Sequence, residues 1–241
     1  MRARVFSAGP CADRCSNPGN YQMSDIVIRP ATVADVDALV PLVYSSGPFA
    51  FDYVFSPRQP GGTKKFLQFA LSGDDGAFSH RQHHVAVKDD AVVGSVMLHG
   101  GADNNRLAMG NVKTILRCHG ALVAVPLMMR GLRMESMLKP PPLDCVYLGH
   151  LAVAQSLRGS GIGATLLAYA NSWAAASGYT KIVLDVAVTN PRAEALYVRE
   201  GYKHVELRMF NHTKPDMPAV PDHYRMVCFI DGAVERMRSI S

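Results

Sequence analysis

The spacing of apolar residues along the chain changes repeatedly, and each change marks an element. Ile26 to Arg29 reads as a short strand stopped by Pro30. Thr32 and Asp35 supply an N-cap residue and a first-turn acid, and Val36, Leu39, Val40 and Val43 then recur at helical spacing. Pro41 is expected to kink or shorten that helix. Gly47, Pro48, Pro57, Pro60, Gly61 and Gly62 predict a long loop, followed by a helix from Thr63 to Leu71. His84 to Val87 and Val92 to Leu98 are β-rich runs around the turn cluster Lys88-Asp89-Asp90-Ala91, a hairpin signature. Residues 100–143 hold two helix-like stretches, Asn111 to Val125 and Leu127 to Leu138, closed by Pro140-Pro141-Pro142. Met128, Met129, Met134 and Met137 there form a soft apolar face, read as core packing with a substrate-facing lid as the alternative.

The second half is the more legible. Cys145 to Val153 (CVYLGHLAV) is a continuous apolar strand, Gly161 to Ala176 a helix with Gly178 just past its end, and Lys181 to Val188 a second buried strand. A short helix from Ala193 to Glu200 is closed by Gly201, and His204 to Phe210 and Tyr224 to Ile230 are late strands. Strand, helix, strand, helix in this order predicts a mixed α/β fold with a central twisted sheet, flanking helices and a helical insertion near 100–143. The whole reads as one domain over residues 24–232, with residues 1–23 a disordered extension and residues 233–241 a tail.

Between the apolar strand and its helix stands QSLRGSGIGA, residues 155–164. Gly159, Gly161 and Gly163 let successive backbone N–H groups turn toward one point at a helix N-terminus, and Arg158 adds a full positive charge. A pyrophosphate suits that point. Gly159-x-Gly161-x-x-Ala164 matches the dinucleotide fingerprint, with Asp185 downstream. Against that reading, Asp185 sits inside its strand rather than at the end where a ribose is met, and the loop comes late in the chain.

Arg158, Gly161 and Gly163, with Val183 to Val188 and the NPRAEALYVREGY run from Asn190 to Tyr202, resemble the GNAT superfamily of N-acetyltransferases. The resemblance is tight from Tyr147 to Tyr202 and extends by element order over residues 25–230. It implies that acetyl-CoA, as co-substrate, lies in a V-shaped opening between strands 145–153 and 181–188. Leu151, Ala152 and Val153 would meet the pantetheine arm like an added strand, with the backbone groups of Leu151 and Val153 pairing to it. Arg158, Gly159, Ser160, Gly161, Ile162, Gly163 and Ala164 would hold the pyrophosphate, and Asn190 would contact the arm. Tyr197 would point its hydroxyl at the thioester sulfur. The acceptor implied is a primary amine of a small molecule or peptide, met by residues 45–62 and 211–223.

Acetyl transfer to an amine needs a neutral amine, a donor for the developing oxyanion and a proton for the departing thiolate. A backbone N–H of the first strand can serve the oxyanion and Tyr197 the thiolate. Two groups compete for the role of base, His150 on the first strand and Asp185 on the second, and a water relay would need neither. A catalytically silent module that binds CoA as a sensor is the alternative function.

Composition narrows the setting. Of 241 residues, 48% are hydrophobic, enough for a full core, and the net charge of +5 is too small to argue for nucleic acid without a clustered patch. The longest apolar stretch, Gly120 to Met129, is about half the length that crosses a bilayer and contains Pro126. Cys11, Cys15, Cys118, Cys145 and Cys228 are an odd, scattered set that suits reduced thiols in the cytoplasm rather than a disulfide framework. His83 and His84 are strand neighbours that point to opposite faces, so no shared metal ion is expected. No membrane or nucleic-acid partner is expected, and a homodimer is compatible with the sequence.

Overall fold

The computed structural model describes residues 21–23, 25–56, 61–212 and 217–230. Most of the expected N-terminal extension, with Cys11 and Cys15, and the tail at 233–241 lie outside the described residues. Eight strands form one sheet in the order β1-β2-β3-β4-β5-β6-β8-β7. They are β1 (Tyr21–Met23), β2 (Ile26–Pro30), β3 (His83–Lys88), β4 (Ala91–Gly100), β5 (Cys145–Val153), β6 (Lys181–Ala187), β7 (Lys203–Arg208) and β8 (His223–Phe229). Every neighbouring pair is antiparallel except β5 with β6. The extension thus stops short of residue 23, because Tyr21–Met23 pairs with Ile26–Ile28.

Helices cover both faces. On one, α5 (Ile162–Ala176) lays Leu166, Leu167 and Ala170 on Val96, Leu98, Val146, Leu148, Ile182 and Leu184. On the other, α1 (Val36–Ser46), α2 (Pro48–Phe55), α3 (Gly62–Ser72) and α4 (Asn104–Glu135) enclose a second core that includes Phe51, Tyr53, Phe55, Phe66 and Met137. The last helix, α6 (Pro191–Arg199), follows β6. Lys88 to Ala91 turns tightly, with Asp89 and Asp90 at φ 48° and 60°, the two left-handed residues that a hairpin of right-handed twist requires.

Three expectations are corrected. Pro41 does not shorten α1, which runs from Val36 to Ser46 with Pro41 on its exposed side. The long loop after Gly47 contains α2: Pro48 occupies its first turn, where no N–H is needed, and Phe51, Tyr53, Val54 and Phe55 anchor it in the core. In the insertion the break falls at Gly120, which adopts φ 72°, ψ 163°, and not at Pro126. That backbone region is essentially closed to residues with a Cβ. By length and composition Gly101–Glu135 also passes the usual test for a membrane-crossing helix, which the uninterrupted apolar run did not suggest. The Gly120 break divides the α-helix proper, Asn104–Glu135, into pieces of about 24 and 22 Å, each short of the roughly 30 Å hydrocarbon layer. The insertion packs through Ile115, Ala124, Leu127 and Met134, and the Arg130 guanidinium donates to the Val54 carbonyl at 2.9 Å.

Strand β2 is tied to α1 by one ion pair. Arg29 donates through both terminal nitrogens to Asp35 at 2.8 Å each, while the Thr32 N–H and hydroxyl donate to the same carboxylate at 2.8 and 2.9 Å. The Arg29 bonds, more than the Thr32 bonds, pull the Asp35 carboxyl from 3.8 down to about 2. A folded-state value below the unfolded one contributes stability at neutral pH that is lost as pH falls from about 4 toward 2. Urea titrations should show Asp35→Asn costing about 1–2 kcal/mol at pH 7, after screening at the one-third exposed Arg29, and little at pH 2. An equal cost at both values would show that the charge is not what matters.

Candidate active site

Parallel strands β5 and β6 pair over only three positions, Cys145–Lys181, Val146–Ile182 and Tyr147–Val183. Beyond them each strand follows its outer neighbour, β5 staying with β4 as far as Val153 and β6 with β8 as far as Ala187. The strands therefore part. The Ala154 N–H donates to Val93 at 2.8 Å, on the β4 side. Alternation along the strand then turns the N–H groups of Val153 and Leu151 toward the edge that β6 has left.

An irregularity in the β4–β5 register accompanies the parting. Met97 faces Gly149 and Ser95 faces Ala152, so His150 and Leu151 together oppose Val96. His150 takes φ 50°, a left-handed conformation that non-glycine residues hold only when their surroundings fix it. Its Nδ1 lies 2.9 Å from His83 Nε2, and its ring stacks on His83 and Phe78. The Ser79 carbonyl, 2.8 Å from His83 Nδ1, can only accept, which puts the proton on that nitrogen. His83 Nε2 then accepts from His150 Nδ1–H. His84 points to the opposite face, against Tyr169, as strand alternation requires.

The opening continues into a cleft of about 750 Å³. At one end lies the glycine loop, where Gly159 and Gly161 both adopt φ 90°. A Cβ on Gly161 would meet no atom within 4 Å, so the residue faces open space at the start of α5. Arg158 and Arg192 stand at this end, and Arg199 also lines the cleft. The Arg158 Nε donates to the Val153 carbonyl at 3.2 Å, lying across the open edge. Of the loop residues singled out from sequence, Arg158, Gly159, Gly161, Gly163 and Ala164 line the cleft. Ser160 and Ile162 do not: the Ser160 hydroxyl donates to Leu157 at 2.6 Å, and the Ile162 side chain is in the core beneath. Leu151, Ala152 and Val153 form the β5 wall, and Asn190, which accepts from the Ala193 N–H at 3.2 Å and so caps α6, is also in the wall.

Tyr197 and Asp185 also line the cleft. Burial alone raises the Tyr197 hydroxyl above the ordinary phenol value, which keeps it a proton donor. The Asp185 side chain is only 1% exposed and fully engaged. Arg225 donates to its two oxygens at 3.0 and 2.8 Å, Tyr147 donates at 3.3 Å, and Arg208 stands 3.6 Å away. The group offered from sequence as a base is thus the counter-ion of two buried guanidiniums. His150 does not line the cleft, and burial together with His83 and His99 drives its imidazole toward the neutral form. The opposite end is walled by Ser45 to Ala50 and by Pro221 and His223, within the segments expected to meet the acceptor. No residue of the insertion lines the cleft, so the lid alternative has no support among the described residues.

Residues 52–202 match the model of the acetyltransferase (GNAT) family. The chain belongs to the GNAT family. Its fold is shared by solved GNAT structures of low identity. An N-acetyltransferase from Staphylococcus aureus Mu50 is 16% identical, with a TM-score of 0.59 over 83% of this chain and 99% of that one. An agmatine N-acetyltransferase is also 16% identical, with a TM-score of 0.53 over 86% and 100%. A GNAT acetyltransferase from Elizabethkingia anophelis, solved with acetyl-CoA bound, is 15% identical, with a TM-score of 0.50 over 86% and 99%. No curated protein is significantly similar in sequence.

For this GNAT acetyltransferase, sequence reasoning missed Arg192, Arg199 and His223 as individual residues. Arg192 follows Pro191 in the first turn of α6, a position that the Asn190-Pro191 start signal could have indicated. His223 had no local signal. Gly161→Asp places a carboxylate at the glycine-loop end of the cleft, at a left-handed position that Asp tolerates better than most residues. Calorimetric titration should show acetyl-CoA affinity weakened by at least about 2 kcal/mol, roughly 30-fold, with the fold retained. Unchanged affinity in the folded variant would remove the loop from the binding site.

Proposed function

We propose that this acetyltransferase moves the acetyl group of acetyl-CoA to a primary amine of a small molecule or peptide. The observation that carries the reading is the continuous path from the glycine loop, along the unpaired edge of β5, to Tyr197. In this reading the phosphates meet the N–H groups at the start of α5 together with Arg158 and Arg192, where the helix dipole and full charges act in the same direction. The pantetheine amides pair with the Leu151 carbonyl and the Val153 N–H, groups of the β5 edge that β6 leaves unpaired. The acetyl carbonyl then lies beside the distorted turn of β5 at His150, where the Leu151 N–H is a fixed donor for the oxyanion and needs no reorganisation during reaction.

Tyr197 is the acid toward the departing thiolate. Its hydroxyl has no hydrogen-bond partner among the described residues, and burial holds it protonated. Asp185 fixes Arg225 and Arg208 and does not exchange protons in the reaction. Agmatine joins the acceptor panel because a solved relative of the same fold is named for it.

The test is thiol release from acetyl-CoA with agmatine, simple alkylamines, aminoglycosides, polyamines and peptide N-termini. Tyr197→Phe should lower turnover about 100-fold while acetyl-CoA affinity stays within about twofold. Turnover equal to that of the wild type would overturn the assignment of Tyr197. Tight acetyl-CoA binding with no thiol release from any amine would favour a silent CoA-binding module.

A further inference from the structure

Resting on the acetyltransferase reading, we propose that His223 is the base that takes the proton from the acceptor amine. Strand β8 carries it there: His223 stands opposite Ala187, the last residue of β6, at the mouth of the opening. Among the described residues it is the one histidine in the cleft wall. Met226 and Cys228 pack into the core under α5, so alternation puts Arg225 and His223 on the other face of the sheet. That is the face where Ser45 to Ala50 close the cleft, on the far side of the sheet from α5. An amine entering between α2 and β8 would meet the thioester with His223 beside it.

Its tautomer is fixed by geometry. His223 Nδ1 lies 2.8 Å from the Pro221 carbonyl, which can only accept, so Nδ1 carries the hydrogen and Nε2 keeps its lone pair. Nε2 has no protein partner among the described residues. The charged groups around the ring are Asp185 on β6, Arg208 opposite it on β7, and Asp222 and Arg225 on its own segment. The wall residues of α1 and α2 are uncharged. Burial, more than the attraction of Asp185 and Asp222, sets the ring's balance and lowers its affinity for protons, leaving it neutral near pH 7. In the reaction the ammonium gives one proton to Nε2, and the neutral nitrogen then bonds to the carbonyl carbon. As the C–S bond breaks, Tyr197 protonates the thiolate and recovers a proton from the new amide nitrogen. His223 returns its proton to water.

An electrophilic analogue tests the position without knowledge of the acceptor. Bromoacetyl-CoA carries its reactive methylene beside the thioester carbonyl, where His223 Nε2 would displace bromide. Mass spectrometry should find the CoA adduct on the peptide containing His223, formed faster at pH 8 than at pH 5 and absent in His223→Gln. Adducts confined to Tyr197 or the cysteines, or none at all while acetyl-CoA still binds, would overturn the role of His223 and leave the transferase reading standing. Wild-type protein that fails to bind acetyl-CoA would overturn both.

Two amines then separate proton removal from structural support, 2-phenylethylamine being an ammonium at pH 7 and aniline already neutral. His223→Gln should lower turnover at least about 100-fold with the first and less than about threefold with the second. Equal losses with both, or no loss with the first, would contradict the assignment.

Discussion

The parting of β5 and β6 is the constraint on which the rest of this molecule depends. Buried backbone N–H and C=O groups are almost always paired, because leaving them unpaired forfeits hydrogen bonds that water would supply. Here each strand keeps its outer partner, and the inner edge of β5 is left open beyond Tyr147. Arg158 satisfies one carbonyl of that edge in the free protein. A guest with amide groups spaced along an extended arm can satisfy the others, so the sheet's local defect suits the strand-like binding proposed above.

Around the opening, charge and conformation are arranged to hold it apart. Asp185 points from β6 to Arg225, Arg208 and Tyr147, tying four strands together behind the cleft. Replacing one partner of such a buried set leaves an uncompensated charge, which is far more costly than the pair's own net contribution. On the other side, the left-handed His150 is held by His83 and Phe78, whose rings fix it in place. Both devices support geometry. In the proposed mechanism both residues serve as framework, although in the sequence they looked most like acids and bases.

Much of the fold was legible because local signals agreed with tertiary demand. The apolar run from Cys145 to Val153 became β5 residue for residue, and the Asp89-Asp90 turn sits where the β-rich runs required it. The failures have physical reasons. Pro48 and its neighbours looked like loop because proline and glycine dominate local statistics, yet four buried side chains make α2 worthwhile. Pro126 looked like the break in the insertion, but only Gly120 reaches the backbone angles that a sharp turn there uses. In the site, the glycine loop was readable because its chemistry is contiguous. His223 was not, since it reaches the cleft only when β8 pairs with β6, and no spacing within the sequence records that pairing.

In the proposed function the free edge of β5 receives an extended ligand as an added strand. Amide hydrogen exchange resolved at single residues measures this directly, with and without acetyl-CoA. Leu151 and Val153, whose N–H groups face the opening, should slow at least about tenfold on binding, while Ala152, already turned toward β4, should change little. Saturating acetyl-CoA with no added protection at Leu151 and Val153 would contradict the claim.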